Sequence, residues 1–259
     1  MLVFPYMEHA LATIITGGGR GIGRAIARKM AEETNVILVG RTKDDLVSTC
    51  REIQDAGGRA LYHVGDVSHS ETAENTVSLA QEHGWSIRNL ICNAGIAKSG
   101  TFHTFDESLW RSMFDINVHG SFLFIKACLP EMVRAKKGTI CLMSSIAGLK
   151  GYAYAAGYTA SKYALIGLAR SLALEYGKHG IVVVPVCPGF VESEMTRRSI
   201  KGLMERKHIS EDEARACIAA VNPQKRILPA EEVVDAVAFV CSGSVPSLSG
   251  NPLVLSGGE

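Results

Sequence analysis

The chain has no run of about 18 apolar residues free of charge, so no stretch of it reads as a membrane-spanning helix. It has no surplus of either sign: 27 Lys and Arg stand against 26 Asp and Glu, a formal net charge of +1, which leaves no electrostatic footprint for nucleic acid. Met1 to Ala10 is apolar but lacks a basic n-region and contains Glu8, so it does not read as a secretory leader. The seven cysteines, Cys50, Cys92, Cys128, Cys141, Cys187, Cys217 and Cys241, form no close pair, and the eight histidines show no ligand spacing. That pattern argues against a disulfide framework and against a metal site, and fits small buried hydrophobes in a reducing cytoplasm. Low-complexity linkers and solenoid repeats are also missing, so no domain boundary is placed in the 259 residues. What remains, 47% hydrophobic and 20% charged, suits a soluble globular chain with one sizeable core.

Short β-rich runs alternate with helical stretches. The strands are expected at Leu11 to Ile15, Asn35 to Val39, Ala60 to Val64, Leu90 to Cys92, Thr139 to Met143, Ile181 to Val186 and Leu253 to Leu255. Helices are expected at Arg24 to Glu33, Asp44 to Ala56, Glu71 to His83, Ser108 to Arg134, Tyr158 to Tyr176 and Glu231 to Cys241. This alternation predicts an α/β fold, a doubly wound seven-stranded parallel sheet flanked by helices. Ser68-His69-Ser70-Glu71 reads as a capping box at the third helix.

Four features carry chemistry. Tyr158 and Lys162 are four residues apart, a spacing that stacks phenol and ammonium on one helix face. A cation about 4 Å from a phenolate contributes on the order of 4 kcal/mol at an effective dielectric near 20, enough to poise Tyr158 for acid/base work. Thr16-Gly17-Gly18-Gly19-Arg20-Gly21-Ile22-Gly23 follows the first strand and opens the first helix, the arrangement of a dinucleotide cradle. Ser144-Ser145 ends a strand, where a hydroxyl faces the same crevice as the glycine turn. Asn93-Ala94-Gly95 and Asn117 place amides beside apolar elements, as backbone braces or as part of a buried water relay.

These ordered motifs resemble the short-chain dehydrogenase/reductases, in the compact Tyr-x-x-x-Lys subtype with a Rossmann-type fold, over nearly the whole chain from Leu11 to Gly258. The resemblance implies that Tyr158 is the catalytic acid/base and that Ser145 orients the carbonyl. Lys162 would bind the nicotinamide ribose and lower the tyrosine pKa, and Asn117 would anchor a relay water. It further implies a nucleotide site built from Gly17, Gly19, Arg20, Gly21, Ile22 and Gly23, with Asp66 and Val67 at the adenine and Asn93, Ala94 and Gly95 supporting the cofactor strand. Pro188, Gly189 and Val191 would face the nicotinamide, and Ser193 stands where the family has threonine. The implied reaction is hydride transfer between NADP(H) or NAD(H) and a ketone or secondary alcohol, without metal.

The second strand ends Val39-Gly40-Arg41 with no acidic residue to accept from ribose hydroxyls, so Arg41, helped by Arg20, is expected to pair a 2′-phosphate and favour NADP(H). Solvated arginines and tolerance of NAD(H) stay open. The segment from about 190 to 222, with Arg197, Arg198, Lys201, Arg206 and Lys207 against six acids, is implied to be a substrate lid in one domain spanning 1–259. Its basic residues suit a 3-oxoacyl thioester of coenzyme A or acyl-carrier protein, while sugars, steroids and other ketones remain alternatives. A non-catalytic NADP(H) sensor is the reading from another class. Helices at 108–130 and 158–176, apolar on more than one face, point to a homodimer or homotetramer.

Overall fold

The computed structural model describes residues 10–259. The expectation about a leader concerns Met1 to Ala10, which apart from Ala10 lies outside the described residues. The strands are β1 (Ala10–Thr16), β2 (Asn35–Gly40), β3 (Ala60–Val64), β4 (Trp85–Cys92), β5 (Gly138–Met143), β6 (Ile181–Pro188) and β7 (Leu253–Leu255). They form one seven-stranded sheet in the order β3-β2-β1-β4-β5-β6-β7, every pair parallel. Interior strands are Val- and Ile-rich without alternation because both faces are covered: Val36, Ile37, Leu38 and Val39 are all fully buried.

One face packs under α1 (Gly21–Met30), α2 (Lys43–Asp55) and α9 (Ala230–Ser242) through Ile26, Leu46, Ile53, Val233 and Val237. The other packs under α3 (Ser70–Glu82), α5 (Gly120–Ala135) and α6 (Ala156–Tyr176) through Ala80, Phe124, Cys128, Met132 and Ala169. The strand order reverses between β1 and β4, so the carboxyl ends of these neighbours, Thr16 and Cys92, open the crevice where such sheets bind ligands.

Two expectations need correction. The single helix expected from Ser108 to Arg134 is α4 (Glu107–Phe114) and α5 joined by a π-helical stretch, Asp115–His119. The capping box at Ser68 does not form: α3 starts one residue later than the motif requires, with His69 as an N-cap that makes no side-chain bond, and Ser68 donates its hydroxyl to Asp66 at 2.7 Å. A capping box does form at Ser210 and Glu213, opening α8 (Glu211–Ala219). Together with α7 (Glu194–Lys207), α8 makes the 190–222 segment a helical pair. It has its own small core of Ile200, Ala214, Ile218 and Ile227, against which Phe190, Leu203 and Met204 pack.

Candidate active site

The glycine turn begins where β1 ends. Gly17 has φ +68° and Gly21 φ +54°, both left-handed, a conformation open to glycine at little steric cost. A Cβ on Gly23 would lie 2.1 Å from the Gly17 carbonyl, so α1 can leave the turn this tightly only with glycine there. Gly19 packs on Asp45 and its carbonyl accepts from the Thr49 hydroxyl at 3.0 Å, while Ile22 is half-buried against the core. Arg20 is the exposed N-cap of α1 and makes no side-chain cap bond; the first turn carries no acid. The helix start therefore presents unpaired N–H groups and positive polarity beside open space at Gly21, which fits an anionic pyrophosphate.

Asn93 fastens this turn to β4. Its Nδ2 donates to the carbonyls of Thr16 at 3.0 Å and Gly17 at 3.2 Å, and the Thr16 hydroxyl accepts from the backbone N–H groups of Asn93 and Ala94, each at 3.0 Å. Gly95 passes so close to the next layer that an added Cβ would sit 3.2 Å from Asn117 Oδ1 and 3.6 Å from Lys162 Nζ. Asn117, 1% exposed within the π-helical stretch, accepts from Ile96 N at 2.8 Å and donates to Ile96 O at 3.0 Å and to Ser161 Oγ at 2.9 Å. Its side chain is a backbone brace; its own carbonyl accepts from Ser121 Oγ at 2.9 Å.

Ser145, Tyr158 and Lys162 meet where β5 and α6 adjoin. Ser145 caps a short 3₁₀ turn by accepting from Ala147 N at 3.1 Å, and its hydroxyl donates to Pro188 O at 3.3 Å. Lys162, 5% exposed, donates to Met143 O at 2.6 Å and lies 5.6 Å from the centre of the Tyr158 ring. Burial pulls its ammonium down to about 8. Burial likewise pushes the Tyr158 phenol up, and the hydrogen bond from Ser145 draws it partly back. The direction is opposite to that expected from Lys162: desolvation of the phenol is the largest influence on it. Beneath the three, the buried Cys187 thiol is raised by burial, with Ser144, the Ser145 backbone and Lys162 acting the other way.

The remaining candidates take these places. Arg41 closes β2 with a 63% exposed side chain, 3.8 Å from Asp66 Oδ2. Burial works to raise Asp66, but hydrogen bonds from Ser68 and the Arg41 charge hold it below the usual carboxylate value. Val67 is buried against Gly120. Pro188 ends β6, the Gly189 N–H donates to Leu255 O at 2.8 Å, and Val191 bridges Leu228. Ser193 caps α7, accepting from Thr196 N at 3.2 Å, so its hydroxyl serves the helix.

Sequence reasoning passed over three polar groups that hold this site. Thr16 stood inside the quoted glycine motif. Ser161 joins Asn117 to the Tyr158 carbonyl, to which it donates at 2.7 Å, and buried Ser144 donates to Lys162 O at 2.9 Å. Ser161 lies between Tyr158 and Lys162, which was the available signal; Ser144 was seen only as the neighbour of Ser145.

The chain matches known proteins in sequence and in fold. The short chain dehydrogenase family model matches residues 11–203. Cis-4-hydroxycyclohexanecarboxylate dehydrogenase of Sinomonas cyclohexanicum is 32% identical over 246 residues, covering 95% of this chain and 94% of that protein. The 3-oxoacyl-(acyl-carrier-protein) reductase FabG of Escherichia coli (strain K12) is 30% identical over 245 residues, 95% of each chain. A crystal structure of a point variant of actinorhodin polyketide ketoreductase with NADPH superposes with a TM-score of 0.92 at 29% identity, covering 96% of both chains. The chain belongs to the short-chain dehydrogenase family. It is an oxidoreductase of the NAD(P)-dependent dehydrogenase/reductase class. Among the described residues no helix is long and apolar enough to cross a membrane.

Proposed function

We propose that this protein is an NADP(H)-dependent ketoreductase that interconverts a ketone and a secondary alcohol on a small-molecule substrate. The observation that carries the reading is the meeting of Ser145, Tyr158 and Lys162 next to Gly95, on the segment that Asn93 ties to the glycine turn before the acid-free start of α1. A bound nicotinamide supplies the hydride. Tyr158, a phenol that carries its proton at neutral pH and is pushed further up by burial, gives that proton to the developing alkoxide, and Ser145 hydrogen-bonds the same oxygen. Lys162 holds the nicotinamide ribose, and its charge favours the phenolate left behind. Gly17 to Gly23 take the pyrophosphate, Arg41 and Arg20 the 2′-phosphate, Asp66 and Val67 the adenine, and Pro188, Gly189, Val191 and Ser193 the nicotinamide. Asn117 with Asn93-Ala94-Gly95 keeps these parts in register.

Residues 1–259 form one nucleotide-binding domain in this reading, and α7 with α8 is its lid. A 3-oxoacyl thioester is the favoured substrate, since the curated relatives include an acyl-carrier-protein reductase and the lid carries Arg197, Arg198 and Lys201. An apolar groove between α5 and α6, lined by Ile125, Leu129, Leu168 and Leu172, supports a homodimer or homotetramer, for which light scattering is the check. Cysteines without disulfides suit a cytoplasmic enzyme. NADPH oxidation across a panel of ketones and 3-oxoacyl thioesters tests the activity. Tyr158→Phe is expected to lose about 10²-fold or more, and retention of most activity would overturn the role of the phenol.

A further inference from the structure

Between Ser145 and Tyr158 the chain runs through an irregular loop, Leu149 to Ala155, before entering α6. The loop is fastened from a distant part of the sequence. Beyond β7 the chain turns back at Gly257, φ +64°, where a Cβ would lie 2.2 Å from Asn222 Oδ1, and the Glu259 N–H donates to Ser256 O at 3.4 Å. This turn carries the Glu259 side chain inward, where it is only 5% exposed. There its carboxylate accepts from the Tyr152 phenol and from the Lys150 ammonium, the latter at 2.7 Å. Lys150 also sits over the Tyr152 ring, 5.5 Å from its centre. Burial, and then Glu259 itself, push the Tyr152 phenol upward, so it stays a donor while Lys150 balances the carboxylate.

From Tyr152 two backbone hydrogen bonds lead into the first turn of α6. The Tyr152 carbonyl accepts from Ala155 N at 3.2 Å, and the Ala155 carbonyl accepts from Thr159 N at 2.8 Å, in the turn that bears Tyr158. Further along the loop, Tyr154, at φ 65°, accepts on its carbonyl from Gly100 N at 2.8 Å and carries the Arg206 guanidinium of α7 over its ring at 5.1 Å. The loop is thus held from inside by Glu259 and from outside by the lid.

We propose that Glu259 is a positioning residue for carbonyl reduction: through Tyr152 it fixes the loop that sets the first turn of α6, and with it the placement of the Tyr158 hydroxyl against the substrate. The inference rests on the reductase reading above. A buried carboxylate paired with one ammonium adds little net stability, whereas misplacing a reacting group by about 1 Å can cost up to about 10²-fold in rate.

The test uses the full chain with Glu259→Ala, Glu259→Gln and Tyr152→Phe. Glu259→Ala and Tyr152→Phe are each expected to lower kcat for ketone reduction about tenfold while KM for NADPH stays within about twofold. The double variant should be no worse than either single change, and Glu259→Gln, which keeps an oxygen to accept from Tyr152, should recover most of the loss. Hydrogen–deuterium exchange should quicken at Tyr152 to Thr159 and stay unchanged in β1 and α1. Unchanged exchange at Tyr152 to Thr159, or unchanged kcat, overturns the proposal. So does loss of kcat together with an equal rise in KM for NADPH and faster exchange throughout the sheet, which marks general destabilisation. If the parent chain reduces no ketone, the reductase reading fails on its own, and the exchange pattern still decides whether Glu259 holds the loop.

Discussion

The Asn117 carboxamide donates to the Ser161 hydroxyl at 2.9 Å while the same side chain pairs both backbone polar groups of Ile96. Through this one bond the π-helical stretch is tied to the helix turn that separates Tyr158 from Lys162. Asn117→Ala leaves the Ile96 N–H and C=O without their protein partners. Each unsatisfied group costs about 1–3 kcal/mol, so the variant is expected to lose about 2–6 kcal/mol of stability. Thermal unfolding measures this, and a Tm within about a degree of the parent would contradict the brace.

Gly23 and Gly21 should respond differently to the same change. A methyl on Gly23 meets the Gly17 carbonyl at 2.1 Å and Asn93 Nδ2 at 2.5 Å, so Gly23→Ala must push the turn away from α1. We expect NADPH affinity to fall by about 10²-fold or the chain to fail to fold. Gly21 has nothing within 4 Å of an added Cβ, and Gly21→Ala meets only the strain of φ +54°, roughly 1–2 kcal/mol. Unfolding curves without cofactor separate the two; equal loss of stability in both variants would count against the packing argument.

How far the sequence was legible follows from what local patterns can encode. Strands buried on both faces announced themselves as Val and Ile runs, and the glycine turn was readable because left-handed backbone and close approach admit few other residues. The π-helical stretch at Asp115–His119 left no such trace: its apolar periodicity continues from α4 into α5, and only the Ile96 and Ser161 contacts reveal why the register slips at Asn117. The helices α7 and α8 were hidden by mixed charge, although the Ser210 and Glu213 capping box was present. At Ser68 the same pattern misled, since α3 starts one residue later, with His69 as its N-cap, and Ser68 turns to Asp66 instead. The direction in which Tyr158 moves depends on burial, which no spacing rule supplies.

The proposed preference for NADP(H) rests on Arg41. Its guanidinium is 63% exposed and only 3.8 Å from Asp66, an ion pair too loose and solvated to hold it back from a phosphate. Arg41→Asp removes a charge-assisted partner and sets a second carboxylate near Asp66. The ratio of kcat/KM for NADPH to that for NADH should fall by about 10- to 100-fold. An unchanged ratio would remove Arg41 from the 2′-phosphate site.

Lys162 provides a test that needs no turnover. Burial lowers its ammonium from 10.5 to about 8, so between these values the unfolded chain binds a proton that the folded chain does not. Stability from this group therefore rises as pH climbs from about 8 toward 10.5, and is lowest below that window, where a buried charge must be carried. A shift of this size corresponds to about 3 kcal/mol. Lys162→Met removes the charge but leaves the Met143 carbonyl without its donor, at about 1 kcal/mol. At pH 7 the variant should thus be more stable than the parent by about 2 kcal/mol, a rise of a few degrees in Tm, even as it loses reductase activity. Repeated near pH 10, the difference should shrink or reverse, because the parent lysine is then neutral when folded. Such a trade, stability gained where function is lost, is expected of a cation kept in a buried position for its chemistry. A lower Tm for Lys162→Met at pH 7 would mean that the Met143 contact outweighs the cost of burying the charge.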